Sequence, residues 1–137
     1  MDKVPILKLY GYLLISIQTD IHDLTIQALQ EDILTTIRNT GARGVLIDIS
    51  ALDIVDSFMA RTLRDTVLMA RLLGAYVVIT GIQPAVAITL VDLGLNPEYL
   101  YTATDVNAGF ELLHDLVADE DSRRYEEEVP GYDDQQD

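Results

Sequence analysis

The sequence predicts a single α/β domain, with a mixed but mostly parallel β-sheet and packed α-helices in the order ββαβαβαβα. Two continuous apolar runs, residues 44–49 and 76–80, are typical of strands that are covered on both faces. Segments with apolar residues at helical spacing alternate with these runs, which favours parallel strands joined by helical crossovers. A length of 137 residues suits one such domain.

The first part of the chain predicts two short strands and a helix. Residues 5–17 are rich in β-branched and aromatic residues, and Gly11 divides them as a turn would, so an antiparallel pair opens the sheet. An amphipathic helix follows, with Asp20 or Asp23 as its start signal and Gly41 as its stop. Its predicted buried residues are Ile26, Leu29, Ile33 and Ile37.

Three further helices and one more strand are predicted. The second helix runs from Ser57 to Leu73, buries Met59, Leu63, Val67 and Ala70, and places Arg61, Arg64 and Arg71 on its opposite side. A third helix starts at Pro84, where a first-turn proline is favourable, and runs to Leu93. We expect a short strand over residues 99–102 and a last helix from Asp105 to Val117, with Val106, Phe110 and Leu113 inward.

Charge is distributed unevenly along the chain. Residues 119–137 hold nine acids and two arginines, a net charge of −7 out of the total of −14. We therefore expect a folded domain over residues 1–118 and an acidic, disordered tail over residues 119–137. The remainder has no basic stripe for a phosphate backbone, which argues against nucleic acid as a partner. Neither a membrane span nor a signal peptide is expected, so the predicted location is the cytoplasm.

Residue types that carry catalysis or bind metals are scarce. The chain has no cysteine, which excludes disulfides and thiolate metal sites. Its two histidines, His22 and His114, are expected in exposed turns, and the eight glycines form no phosphate-binding motif. We therefore expect no enzyme activity, no metal and no cofactor.

The one informative cluster comprises Asp48, Asp53, Asp56 and Ser57, at the carboxyl end of a predicted central strand. It allows three interpretations, the simplest being a helix start with Asp56 as the N-cap. A second is a magnesium-dependent phospho-aspartate site with Thr80 as the hydroxyl donor, although the required lysine is missing because Lys3 and Lys8 are the only lysines and both lie near the N-terminus.

The third interpretation makes Ser57 the acceptor for an external kinase. A phosphate in the first turn of a helix meets free backbone N–H groups and the positive end of the helix dipole. Asp53 and Asp56 would repel the phosphate, whereas Arg61, four residues onward, would offset part of that repulsion. The new charge would then act mainly on a partner's surface.

Residues 46–58, Leu-Ile-Asp-Ile-Ser-Ala-Leu-Asp-Ile-Val-Asp-Ser-Phe, resemble the signature loop of STAS domains, the family of the anti-sigma-factor antagonists. Residues 5–10, 30–32 and above all 80–87, Thr-Gly-Ile-Gln-Pro-Ala-Val-Ala, are similar to the scaffold branch of that family, which builds the bacterial stressosome. Simple antagonists tend to read Asp-Ser-Ser-Gly at the loop, whereas Phe58 follows Ser57 here.

The resemblance implies a phosphorylation-switched scaffold. Such a subunit assembles, as a homo- and hetero-oligomer in a large complex, with sensor-bearing STAS paralogues of the RsbR type. It sequesters a serine kinase of the RsbT type, releases that kinase when Ser57 is phosphorylated, and is reset by a serine phosphatase of the RsbX type. The surface read by partners would include Asp53, Asp56, Phe58 and Arg61.

Two alternatives remain open from the sequence. One is a free antagonist that binds an anti-sigma kinase directly in a small complex. The other is a small-molecule or nucleotide-binding module that uses the crevice near Asp48, Thr80 and residues 81–83.

Overall fold

The structure is a computed structural model, and it describes residues 3–19, 21–95, 98 and 100–128. Its elements follow the predicted order ββαβαβαβα. In chain order they are β1 (Leu7–Leu9), β2 (Tyr12–Ser16), α1 (Asp23–Thr40), β3 (Gly44–Asp48), α2 (Ser57–Leu72), β4 (Tyr76–Thr80), α3 (Pro84–Asp92), β5 (Tyr101–Ala103) and α4 (Val106–Glu128).

The five strands form one sheet in the order β1-β2-β3-β4-β5, the same as their order along the chain. The β1–β2 hairpin is antiparallel, and the other three pairs are parallel. The strand β3 is central, as its continuous apolar run predicts, and all five of its residues are buried. The carboxyl ends of β2, β3 and β4 therefore meet at one edge of the sheet.

Alternate residues of the central strands enter two separate cores. Val45 and Ile47 point into the larger core, which α1, α2 and α3 supply with apolar side chains. Leu46 points the opposite way, into a smaller core with Leu113 of α4. The strand period of two thus divides one apolar run between two helical layers.

Apart from the end of α4, the element ends that differ from the predicted ones do so by only one or two residues. The helices α2 and α3 each end one residue earlier than predicted, at Leu72 and Asp92. The last strand begins at Tyr101 rather than at residue 99, and Tyr99 lies outside the described residues. Helix ends are set by backbone hydrogen bonds that sequence patterns locate only approximately.

The expected disorder from residue 119 is wrong over residues 119–128, because α4 continues as a helix to Glu128. Arg43, directly before β3, donates hydrogen bonds to Glu120 at 2.9 Å and to Asp121 at 2.5 Å. The bond to Asp121, and to a smaller extent the bond to Glu120, raises the pKa of the Arg43 guanidinium. Arg71 of α2 adds a longer ion pair to Glu120 at 3.8 Å. Residues 129–137 lie outside the described residues.

Within the described part of the chain, no helix combines the length and apolar character needed to cross a membrane. The longest, α4, is strongly charged in its second half.

Candidate functional site

The Asp48 carboxylate lies at the end of β3, 9% exposed, and hydroxyl groups engage both of its oxygens. Thr80, the register partner of Asp48 on β4, donates a hydrogen bond to Oδ1 at 2.7 Å. Ser50 donates to Oδ2, also at 2.7 Å. A buried charge needs such partners, so Asp48 serves to hold two strand ends and the following loop together.

The loop after β3 is also tied to the connector between β4 and α3. The Gln83 side-chain amide donates to the Ser50 carbonyl at 2.8 Å, and the Ile49 N–H donates to the Thr80 carbonyl at 2.9 Å. Gly81 has a positive φ of 76°, and a Cβ there would come within 2.9 Å of Ser50 backbone atoms. A glycine is therefore required where these two chain segments meet.

In the middle of the loop, two exposed residues lie between two buried ones. Leu52 and Val55 are buried in the larger core, which fixes the loop to the body of the domain. Asp53 and Ile54 point outward, and Ile54 is 76% exposed. Ile54 is therefore an exposed apolar side chain on a loop that two buried residues hold in place.

The helix α2 begins as predicted. The Asp56 side chain accepts a hydrogen bond from the Met59 N–H at 2.8 Å, which makes Asp56 the N-cap. Ser57 is the first helical residue and is exposed. Phe58 is only partly exposed and packs against the larger core, so it supports the loop more than it presents a surface.

Arg61 lies one helical turn beyond Ser57 and is exposed. Residues four apart on a helix share a face, so Ser57 and Arg61 lie on the same side of α2. The structure records no ion pair for Arg61 within residues 3–19, 21–95, 98 and 100–128, in contrast to Arg64, which contacts Asp65 at 3.2 Å. The Arg61 guanidinium is thus available to a group attached to Ser57 or to a partner.

A hollow of about 400 Å³ adjoins the start of α2. Asp53 and Asp56 lie at it, Met59 and Leu52 contribute apolar surface, and Thr19 with Ile21 close it from the β2–α1 connection. Asp56, the residue directly before Ser57, therefore lines a recess with acidic and apolar walls.

The same geometry bears on the other interpretations of the cluster. Asp48, Asp53 and Asp56 do not converge, and no group of three metal-ligating side chains occurs among the described residues. Both oxygens of Asp48 are already engaged, and Gln83 is bonded to the loop, so the polar groups proposed for a nucleotide crevice are used internally.

Sequence reasoning missed Ser50 and Gln83 as the residues that anchor the loop. Their roles depend on contacts between segments 33 residues apart, which no local pattern displays. The Thr-Gly-Ile-Gln segment, residues 80–83, is part of the resemblance to STAS scaffolds. In the structure it holds the loop through Thr80, Gly81 and Gln83.

The fold and the loop define a class of protein. Residues 3–108 match the family model of the STAS domain, so this chain belongs to the STAS family.

Two solved structures are similar to this chain over most of its length. The chain is similar to a solved structure of Moorella thermoacetica RsbS carrying a serine-to-glutamate replacement, with 39% identity, 84% of this chain and 97% of that chain covered, and a TM-score of 0.78. It is also similar to a chain in a structure of the stressosome, described as a signal integration and transduction hub, with 41% identity, coverages of 82% and 98%, and a TM-score of 0.75.

A curated relative is the RsbT co-antagonist protein RsbRA of Bacillus subtilis (strain 168), 29% identical over 83 residues. The match covers 61% of this chain and 30% of the relative, so this chain spans under a third of that protein's length.

Proposed function

We propose that this chain is a stressosome scaffold subunit that sequesters a serine kinase and releases it when Ser57 is phosphorylated. The observation that carries the proposal is the presentation of Ser57, which is exposed at the first position of α2 on a loop held by the Asp48, Thr80 and Gln83 contacts. A kinase can reach this hydroxyl, and the rigid loop keeps it in one place for a partner to read.

The physics of the switch follows from the surroundings of Ser57. A phosphate there would lie at the positive end of the α2 dipole, so the helix would tolerate the charge. The carboxylates of Asp53 and Asp56 would repel it, and Arg61 would offset part of this repulsion. The domain would remain folded while its surface changes from a neutral hydroxyl to a concentrated negative charge. A misplaced charge at an interface costs several kcal/mol, which is enough to release a partner.

Similarity to RsbS and to a stressosome chain supports the scaffold role, because both likenesses cover nearly the whole of the related chain. The proposed partners are sensor-bearing paralogues, an RsbT-type kinase and an RsbX-type phosphatase. The similarity to the RsbT co-antagonist RsbRA supports the first of these. The scaffold would act in the cytoplasm and would catalyse no reaction itself.

The test is to incubate the full chain with the RsbT-type kinase of the same organism and ATP, and to locate phosphate by peptide mass spectrometry. Phosphate on Ser57 that disappears in Ser57→Ala but persists in Ser122→Ala, an exposed serine on α4, supports the proposal. Phosphate elsewhere, or none, would overturn Ser57 as the switch.

Kinase release is measured separately, as retention of the kinase by the immobilised scaffold before and after phosphorylation. We expect retention to fall with phosphate on Ser57, and Arg61→Ala to change release from the phosphorylated form while Arg64→Ala does not. Equal release in wild type and Arg61→Ala would remove Arg61 from the switch. Sedimentation with the RsbR-type paralogue distinguishes a scaffold, which forms a large particle, from a free antagonist, which forms a small complex.

A further inference from the structure

At the β1–β2 turn, a tyrosine occupies a backbone conformation that suits asparagine or glycine. Tyr10 has φ 54° and Gly11 has φ 82°, and they join the paired residues Leu9 and Tyr12 as a two-residue hairpin loop. Positive φ at both positions is typical of type I′ turns, which favour Asn-Gly. Tyr10 is nevertheless 83% exposed, so burial of its ring does not explain the choice.

The Tyr10 ring takes part in an aromatic group at the surface. It meets Phe110 of α4 edge-on, with centroids 5.4 Å apart and an interplanar angle of 80°. Tyr12 lies nearly parallel to Phe110, at 6.3 Å and 21°. Three rings in two orientations therefore form the walls of one hollow of about 530 Å³.

The remaining lining of this hollow is polar and includes two carboxylates as well as Asn107. Glu111 and Asp115, which are exposed on α4, lie at it, together with His114. None of the described residues that line it is a lysine or an arginine. Lys8 and Arg43 line an adjoining hollow that shares Tyr10 and Tyr12 with this one, and Arg43 is already paired with Glu120 and Asp121. Aromatic faces with carboxylates beside them attract an organic cation.

An exposed apolar strip adjoins the hollow. Leu9 pairs with Tyr12 and Leu7 with Leu14, and directly paired residues of antiparallel strands point to the same face of the sheet. That face carries α4, but α4 packs on β3, β4 and β5, so Leu7 and Leu9 remain 53% and 40% exposed. A macromolecular surface could cover this strip, whereas a small ligand in the hollow could not.

We propose that the hollow between Tyr10, Tyr12 and Phe110 receives an arginine or lysine side chain from a partner protein, whose apolar residues cover Leu7 and Leu9. The hollow is too open to enclose a free small molecule, since pockets for such ligands bury most of the ligand surface. The site is far along the chain from Ser57 and does not depend on the proposed switch. It provides this acidic domain with a second contact surface for a basic partner.

The probe is N-acetyl-arginine amide, titrated into the ¹⁵N-labelled full chain, with N-acetyl-citrulline amide as its neutral isostere. We expect saturable NMR shifts at Gly11, Asn107 and Phe110 with millimolar arginine and none with citrulline. Tyr10→Asn suits the turn and should stay folded, yet it should weaken arginine binding about twofold to fivefold. Glu111→Gln should also weaken binding, whereas Tyr125→Asn, which changes an exposed tyrosine outside the hollow, should not.

Three outcomes would overturn the proposal. Equal shifts from citrulline would show that charge is not recognised, and wild-type affinity in folded Tyr10→Asn would show that the ring is not used. Saturation by tetramethylammonium without any response to arginine would assign the hollow to a small organic cation instead of a partner's side chain.

Discussion

Thr80 on β4 donates a 2.7 Å hydrogen bond to the carboxylate of Asp48, its register partner on β3, and both residues are buried. This bond joins the ends of two neighbouring strands directly beneath the loop that presents Ser57. Without this bond, the buried Asp48 carboxylate would keep a side-chain hydrogen bond from Ser50 alone among the described residues.

We expect Thr80→Val to lower the free energy of unfolding by about 1–3 kcal/mol, because a buried charged acceptor loses a hydrogen bond while the side-chain shape is kept. Thr102→Val, at an exposed threonine on β5, is the matched control and should cost less than about 0.5 kcal/mol. Urea unfolding of both variants measures the difference. Similar midpoints for the two would show that the Asp48 bond contributes little to stability.

Gly81→Ala tests the contact between the β4–α3 connector and the loop. A Cβ at Gly81 would lie 2.6 Å from the Ser50 Cβ, whereas at Gly94, with a similar φ of 81°, a Cβ would meet nothing within 4 Å. Both alanine variants should lose about 1 kcal/mol for the positive φ. Gly81→Ala should lose a further 1–3 kcal/mol or so, because the loop must move. Equal losses by thermal unfolding would contradict the close approach.

The acidic end of α4 should detach when its basic partner is removed. Arg43→Gln takes away the hydrogen bonds to Glu120 and Asp121, so we expect faster amide hydrogen exchange over residues 119–127 and a stability loss of at most about 1 kcal/mol. Wild type should show the same change in 1 M salt, where the Debye length falls to about 3 Å. Arg64→Gln, which breaks only the contact with the adjacent Asp65, is the control. Unchanged exchange in Arg43→Gln would mean that the helix persists without this clamp.

Alkaline pH should destabilise the domain partly through Tyr12. Burial raises the pKa of Tyr12 above its usual 10.0, with the Arg43 charge opposing and the Asp121 charge adding to the shift. Because the folded-state pKa lies above the unfolded value, protonated Tyr12 contributes to the free energy of unfolding. This contribution is complete below pH 10 and is lost as the pH rises through the folded-state pKa.

The measurement is the free energy of unfolding from pH 9 to pH 11. Tyr12→Phe should lose less stability across this range than wild type, whereas Tyr125→Phe, at an exposed tyrosine of α4, should follow wild type. A Tyr12→Phe curve parallel to that of wild type would rule out this cause.

Periodic patterns predicted most of the fold because each depends on residues close together in the chain. The run around Leu46 and Ile47 indicated a strand buried on both faces, and the structure places it at the centre of the sheet. The Asp-Ser start of α2 was equally local, since the N-cap bond spans only three residues. The sequence alone therefore predicted where α2 begins and that Ser57 is its first residue.

The chain itself determined the order of strands and helices, the central strand, and the position of Ser57 at a helix start. Tertiary structure alone decided that Ser50 and Gln83 anchor the loop, that Arg43 holds α4 beyond residue 118, and that Tyr10, Tyr12 and Phe110 share one hollow. Each of these contacts joins residues more than 30 positions apart, or 77 in the case of Arg43 and Glu120. The sequence shows that residues 119–137 are acidic. Whether residues 119–128 form a helix, however, depends on the distant Arg43, which only the folded chain brings next to them.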